Sequence, residues 1–131
     1  MSGVVSNKPE TRSVNLVTNL TDKENYFVNL DTTNQDEIDS IAAGSTEVPY
    51  ILLEGYDGST NNRTGTIAIG GVAKLKLGGT VTANQFITSD GSGKGIACTA
   101  DNEIYGAVAL QNGVNGDIIA VKVVQGTYVT A

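Results

Sequence analysis

A lysine lies among three glycines in residues 88–95, a composition that suggests a phosphate-binding loop; the segment reads TSDGSGKG. Phosphate-binding loops of nucleotide-hydrolysing proteins follow G-x-x-x-x-G-K-[ST], where backbone amides hold the phosphates and the last hydroxyl ligates magnesium. Here Thr88 stands in place of the first glycine, and Gly95 in place of the hydroxyl residue. The residues that follow do not resemble a helix N-terminus, whose dipole would hold an anion. We therefore predict a β-hairpin turn around Asp90–Gly93, because glycine supplies the positive φ that such turns need.

The other acidic and polar clusters do not predict catalysis either. The chain has no histidine, so the commonest general base and zinc ligand is absent. The carboxylates of residues 36–39 are typical of a solvated surface, and Asp101 and Glu103 are typical of a turn. Residues 57–62 carry oxygen donors but lack the closing glutamate of a calcium loop. We expect no catalytic residue, no cofactor and no metal, and hence a protein that is not an enzyme.

Charge and composition narrow the classes of partner. The formal net charge is −6, and the eight Lys and Arg residues are scattered along the chain, with Lys74-x-Lys76 the nearest approach to a patch. Nucleic-acid binding relies on clustered Lys and Arg, so we expect no nucleic-acid partner. No apolar run approaches the ~20 residues needed to cross a bilayer, and no secretory signal opens the chain. We therefore expect no membrane association. The single Cys98 cannot form an internal disulfide and is expected to be a small buried strand residue.

The pattern of apolar residues predicts an all-β fold, either a compact antiparallel β-barrel or a sandwich. At 131 residues the chain is long enough for one domain with its own core. Glycine is frequent, with 16 residues, and proline is rare, with 2. Short apolar segments recur about every ten residues between Gly- and Asn-rich turns, as in sandwiches and barrels. The clearest one is residues 72–77, in which Ala73, Leu75 and Leu77 share one face and Lys74 and Lys76 the other.

Two segments depart from this strand pattern. Residues 1–12, MSGVVSNKPETR, have no sustained periodicity and contain Pro9, so we predict an extended N-terminal arm before a single domain of residues 13–131. Residues 34–43 form the one helical candidate, since Thr33 could cap it, acidic residues occupy its first turn and Gly44 could end it. A strand remains the alternative there.

Residues 65–124 resemble the small capsid-decoration proteins of tailed bacteriophages, also called cement or head-fibre proteins. In that group a glycine-bounded Val-x-Lys-Val strand is followed by a Thr-Ala-Gly turn, a TSDADGKA-like hairpin, a Gly-x-Ala-Leu segment and a closing Gly-Asp-x-Val-x-Val strand. The matching positions are Gly71–Leu77, Val81–Ala83, Thr88–Lys94, Gly106–Leu110 and Gly116–Val123. Asn84 replaces the usual glycine, and asparagine also tolerates positive φ. The match covers a little under half of the chain.

The resemblance implies a β-rich structural protein of the virion. It implies a homotrimer at local threefold axes on the outer surface of the capsid, bound to the major capsid protein after assembly in the host cytoplasm, where it stabilises the shell. The apolar face of Ala73, Leu75 and Leu77 would be covered by a partner in such a trimer. Extended arms can order on a partner, so Val4, Val5 and Pro9 are expected to contact the capsid or a neighbouring subunit.

Two other classes of protein remain open. One is a carbohydrate-binding or adhesin β-domain of a phage fibre, which would normally expose Trp or Tyr; the chain has no Trp and five Tyr. The other is a trimeric nucleotide hydrolase of the all-β class, which would need the phosphate loop that residues 88–95 lack.

Overall fold

The computed structural model describes residues 9–31, 34, 36–41, 48–60 and 63–130. Every regular element in these ranges is a β-strand, which confirms the all-β class. The nine strands are β1 (Pro9–Leu16), β2 (Phe27–Leu30), β3 (Glu37–Ile41), β4 (Tyr50–Glu54), β5 (Arg63–Lys76), β6 (Phe86–Ser89), β7 (Gly95–Ala97), β8 (Ile104–Ala109) and β9 (Ile118–Thr127). Across the same ranges, no helix has the length and apolar character needed to span a membrane.

The first five strands form a closed barrel. In hydrogen-bonding order they are β1, β3, β2, β4 and the first half of β5, which pairs with β1 and closes the ring. The β1–β3 pair is parallel, and the other pairs of the ring are antiparallel. The side chains that fill the barrel are Val14, Leu16, Leu20, Val28, Ile38, Leu52 and Ile67.

The second half of β5 leaves the barrel and begins a second sheet. Residues Val72–Lys76 pair with β9, and the order continues through β8 and β6 to β7. The N–H of Gly78 donates to the carbonyl oxygen of Gly95 over 2.8 Å, so β7 returns to the chain just after β5. The second sheet therefore curls around a core of its own, which includes Leu75, Leu77, Ile87 and Val121.

Three strands of the barrel separate the two cores. Neighbouring residues on each of them are buried on opposite sides, the first of each pair in the barrel and the second in the core of the second sheet: Val28 and Phe27, Leu52 and Ile51, Ile67 and Ala68. A strand that is buried on both faces needs apolar residues at successive positions. Gly106 of β8 lies at this junction, because a Cβ there would come within 2.7 Å of Pro49 and 2.9 Å of the Phe27 ring.

The helix expected over residues 34–43 is wrong where the structure describes them, because Glu37–Ile41 is the strand β3. Asp36 has a φ of 60°, a left-handed conformation that interrupts a right-handed helix. Its carboxylate forms an ion pair with Arg12 of β1, and Ile38 is fully buried in the barrel. A helix of three turns has little stability of its own, so pairing with β1 and β2 decides the conformation. Residues 35, 42 and 43 lie outside the described ranges.

The barrel begins earlier in the chain than the sequence indicated. We expected an arm up to residue 12, whereas Pro9–Arg12 belong to β1 and pair with β5 between Ile67 and Gly71. These residues form a strand because they can hydrogen-bond to the edge of β5. Their own sequence has no periodicity and therefore does not indicate that such an edge is available. Residues 1–8 lie outside the described ranges.

The apolar side of residues 72–77 is covered within the chain. Ala73 is 6% exposed, and Leu75 and Leu77 are fully buried in the core of the second sheet. The expectation that a partner subunit must cover them is wrong, because β9 and the curl of the second sheet already do so. The side of Lys74 and Lys76 is the one that faces outward.

Candidate docking surface

The hairpin predicted around Asp90–Gly93 is confirmed, since β6 and β7 pair with Ser89 opposite Gly95. The Oδ1 atom of Asp90 accepts hydrogen bonds from the backbone N–H groups of Ser92, at 2.7 Å, and Lys94, at 3.0 Å. These are the kind of amide groups that would cradle a phosphate, and the protein's own carboxylate binds them. A Cβ at position 78 would collide with the Asp90 carboxylate, which explains the glycine there.

The acidic residues that could have suggested a metal are used in turns. Asp57 accepts hydrogen bonds from the backbone N–H of Ser59 at 3.0 Å and from its hydroxyl at 2.5 Å, and these bonds lower the pKa of Asp57. Asp101 likewise accepts from the N–H and hydroxyl of Thr130, and these bonds lower the pKa of Asp101. Over the described ranges, no three His, Cys, Asp or Glu residues are grouped so that they could hold a metal ion.

Cys98 is 7% exposed, so its predicted burial is confirmed. Its predicted place in a strand is wrong, because β7 ends at Ala97. Burial raises the pKa of the thiol from 9.0 to about 12, and the nearby negative charge of Glu103 adds to this effect. The thiolate is the nucleophilic form of cysteine, so the neutral thiol of Cys98 acts as a small apolar residue.

Of the three residues predicted to contact a partner, the structure describes Pro9 alone; Val4 and Val5 lie outside the described ranges. Pro9 opens β1 opposite Gly71 of β5. It lines a groove of about 460 Å³ between the barrel and the second sheet, whose other walls include Leu53, Val72, Lys74, Leu110 and Ala120. Contact of Val4, Val5 and Pro9 with a partner stays a prediction. The groove is relevant to that prediction because Pro9 forms part of its wall.

The groove opens onto the outer side of the second sheet, which we call the outward face. It consists of Val72, Lys74 and Lys76 of β5, Ile118, Ala120 and Lys122 of β9, Val108 of β8, and Leu110, which directly follows β8. Residues opposite each other on neighbouring strands share a face, and the register pairs Val72 with Lys122, Lys74 with Ala120 and Lys76 with Ile118. Lys122 is also opposite Val108. Leu110 is 47% exposed and Ile118 49%.

Aromatic rings continue this surface along β6 and β8. Phe86 is paired with Val108 and is 37% exposed. Its ring centroid lies 4.5 Å from that of Tyr105 and 5.9 Å from that of Tyr128. Tyr128 is held there by backbone hydrogen bonds to Asn102 and Glu103. The result is a partly exposed aromatic cluster next to the outward face, in which Phe86 is exposed and the two tyrosines are half-buried.

Sequence reasoning identified Lys74 and Lys76 but missed their neighbours on β8 and β9. The signal was present in residues 118–123, IIAVKV, where Ile119, Val121 and Val123 are buried and the alternate positions point outward. Which strand lies beside β5 depends on pairing across more than forty residues, and periodicity within one segment does not report it.

The comparisons with known proteins concern the fold. Neither a protein-family model nor a curated protein sequence matches the chain. A solved structure described as "The crystal structure of head fiber gp8.5 N base in bacteriophage phi29" is similar, with a TM-score of 0.67 and 10% sequence identity. The similarity covers 89% of this chain and 95% of that one. The chain therefore shares its fold with the N base of the phi29 head fibre.

Proposed function

We propose that the chain is a structural protein of a bacteriophage head, which binds the outside of the capsid as a cement or decoration protein and stabilises the shell. The observation that carries this proposal is the likeness to the N base of the phi29 head fibre, which extends over 89% of the chain. The likeness was found from the coordinates, and the motif resemblance of residues 65–124 was found from the sequence. Both likenesses support a role as a phage head protein.

The chemistry of the described residues is compatible with a role in binding. Asp90 occupies the amides of its own turn, and Cys98 is buried with a raised pKa. The features that face outward are an apolar groove, lysines and aromatic rings, which are typical of a surface that contacts another protein. On this proposal the chain works by attachment and not by a reaction.

The direct test adds the purified protein to head particles that were assembled without it. Saturable binding, with one class of site per particle and a higher temperature of particle disruption, is the expected result. Binding without any gain in particle stability would support a head protein but contradict a role in stabilising the shell. No binding up to a concentration of several hundred micromolar would contradict the proposal.

We further propose that the chain is a homotrimer at local threefold axes of the shell. The resemblance in sequence supports this; the burial of Ala73, Leu75 and Leu77 within the chain removes the other argument for it. Image reconstruction of decorated particles at intermediate resolution distinguishes three copies around each local threefold axis from single copies elsewhere.

A carbohydrate-binding fibre domain is the second candidate, and the aromatic cluster of Phe86, Tyr105 and Tyr128 is the observation in its favour. Sugar-binding aromatic residues present a ring face to the ligand, whereas here the Phe86 ring is inclined at 38° to Tyr105 and 59° to Tyr128, so the rings pack against one another. A glycan array separates the candidates: binding that is lost in Tyr128→Ala while head attachment is absent would favour the fibre domain.

A further inference from the structure

The outward face has a charge opposite to that of the chain as a whole. The chain has 14 Asp and Glu residues against eight Lys and Arg. Three of those eight, Lys74, Lys76 and Lys122, occupy the outward positions of β5 and β9. None of the eight residues that make up the outward face is an Asp or Glu. Within the described ranges, no carboxylate forms an ion pair with these lysines.

The same face also exposes apolar side chains between its lysines. Ile118 and Leu110, at 49% and 47% exposure, lie on either side of Ala120, whose carbonyl oxygen accepts the N–H of Leu110. The groove of about 460 Å³ begins at Ala120, Leu110 and Val72. Exposed apolar residues gather at protein contact sites more than elsewhere on a surface, and polar residues are common at the rims of such sites.

The mixture of charges and apolar groups favours a protein partner over a nucleic acid. Nucleic-acid surfaces present closely spaced phosphates and are read by dense Lys and Arg clusters, whereas three lysines here are separated by Val72, Ala120 and Ile118. The net charge of −6 repels a polyanion at long range. A protein surface with a few carboxylates around apolar side chains matches both parts of the face.

We infer that the outward face is the surface through which the chain docks onto the capsid shell, and that its partner there is a protein surface with carboxylates around an apolar patch. This inference rests on the proposed function for the identity of the partner. Lys74 and Lys122 pair with those carboxylates, and Leu110 and Ile118 pack on the patch. The strand pairing sets the spacing of these side chains, so the face is rigid before it binds.

The test compares three purified variants on head particles assembled without the protein. Lys74→Glu/Lys122→Glu reverses two charges of the face, and Leu110→Ser/Ile118→Ser removes its apolar part. Lys94→Glu is the control and reverses one charge at the hairpin of β6 and β7. All positions are at least partly exposed, and circular dichroism with thermal unfolding checks that each variant is folded. Each of the two face variants is expected to lose roughly tenfold or more in affinity, and Lys94→Glu to bind as the unmodified protein does. Added salt should weaken binding of the unmodified protein and of Lys94→Glu more than that of the charge-reversed variant.

The other outcomes overturn the inference in distinguishable ways. If the unmodified protein binds and both face variants bind equally well, the face is not the docking surface although the proposed function stands. If the unmodified protein does not bind heads at all, the proposed function fails and this partner with it. Sedimentation that shows self-association of the unmodified protein, lost in the face variants while head binding is kept, would assign the face to a second copy of the chain. Binding to double-stranded DNA that is lost on charge reversal would assign it to a nucleic acid.

Discussion

At the scale of single residues, Asp90 and Lys94 show how a segment with the composition of a phosphate loop forms a closed turn. The Asp90 carboxylate accepts hydrogen bonds from the backbone N–H groups of Ser92 and Lys94. Asp90→Ala should leave both N–H groups without this partner and lower the free energy of unfolding by about 1–2 kcal/mol. Lys94→Ala is the matched control and should change it by less than about 0.5 kcal/mol. Chemical denaturation measures both. Calorimetric titration with ATP should give no binding heat for any of the three proteins; heat that disappears in Lys94→Ala would contradict the prediction.

Cys98 gives a second prediction at this scale, because its pKa is raised from 9.0 to about 12 in the folded chain. Between these values the unfolded state has lost the thiol proton while the folded state keeps it, so stability is complete below pH 9 and falls as the pH rises towards 12. Between pH 8 and 10.5 the unmodified protein should therefore lose about 1–2 kcal/mol more than Cys98→Ala. Denaturant titrations at the two pH values measure the difference. Both proteins contain the same Lys and Tyr side chains, so the effect of their titration cancels in the comparison. Parallel losses would show that the thiol titrates at its ordinary pKa.

At the scale of elements, β1 closes the barrel, and its first half is the part that sequence reasoning assigned to an arm. Deleting residues 1–12 removes the pairing of Pro9–Arg12 with β5 and the ion pair of Arg12 with Asp36. We expect a loss of at least about 2 kcal/mol, since each strand hydrogen bond contributes about 0.5–1.5 kcal/mol. Deleting residues 1–8 leaves every described strand intact and is the control, with a melting temperature close to that of the full chain. Equal melting temperatures for both deletions would mean that the first half of β1 does not contribute to stability.

The 1–8 deletion also tests the predicted contact of Val4 and Val5 with a partner. If those residues bind the shell or a neighbouring subunit, burying each side chain contributes about 1.5–3 kcal/mol. The deletion should then weaken binding to head particles while the chain remains folded. Equal affinity of the shortened and full chains for the particles would remove Val4 and Val5 from the predicted contact.

At the scale of the whole molecule, β5 belongs to both the barrel and the second sheet, so the two should unfold together. Leu52→Ala in the barrel core and Leu75→Ala in the second core should each lower the free energy of unfolding by about 2–5 kcal/mol. Leu110→Ala, on the outward face, should change it by less than about 1 kcal/mol. Circular dichroism and tyrosine fluorescence should report one transition in every variant. Two separate transitions in Leu75→Ala would show that the barrel folds without the second sheet.

The sequence by itself determined the all-β class, the hairpin around Asp90, the turn at Asn84, which has a φ of 76°, and the alternation of residues 72–77. These features follow from turn chemistry and from the period of two along a strand, which involve residues close together in the chain. Tertiary structure alone decided that residues 37–41 are a strand, that Pro9–Arg12 belong to the barrel, and that Lys122, Leu110 and Ile118 lie beside Lys74. Each of these depends on which strands pair across long separations. Long-range pairing is set by the burial and hydrogen bonding of the assembled sheet, which one segment's own residues do not encode.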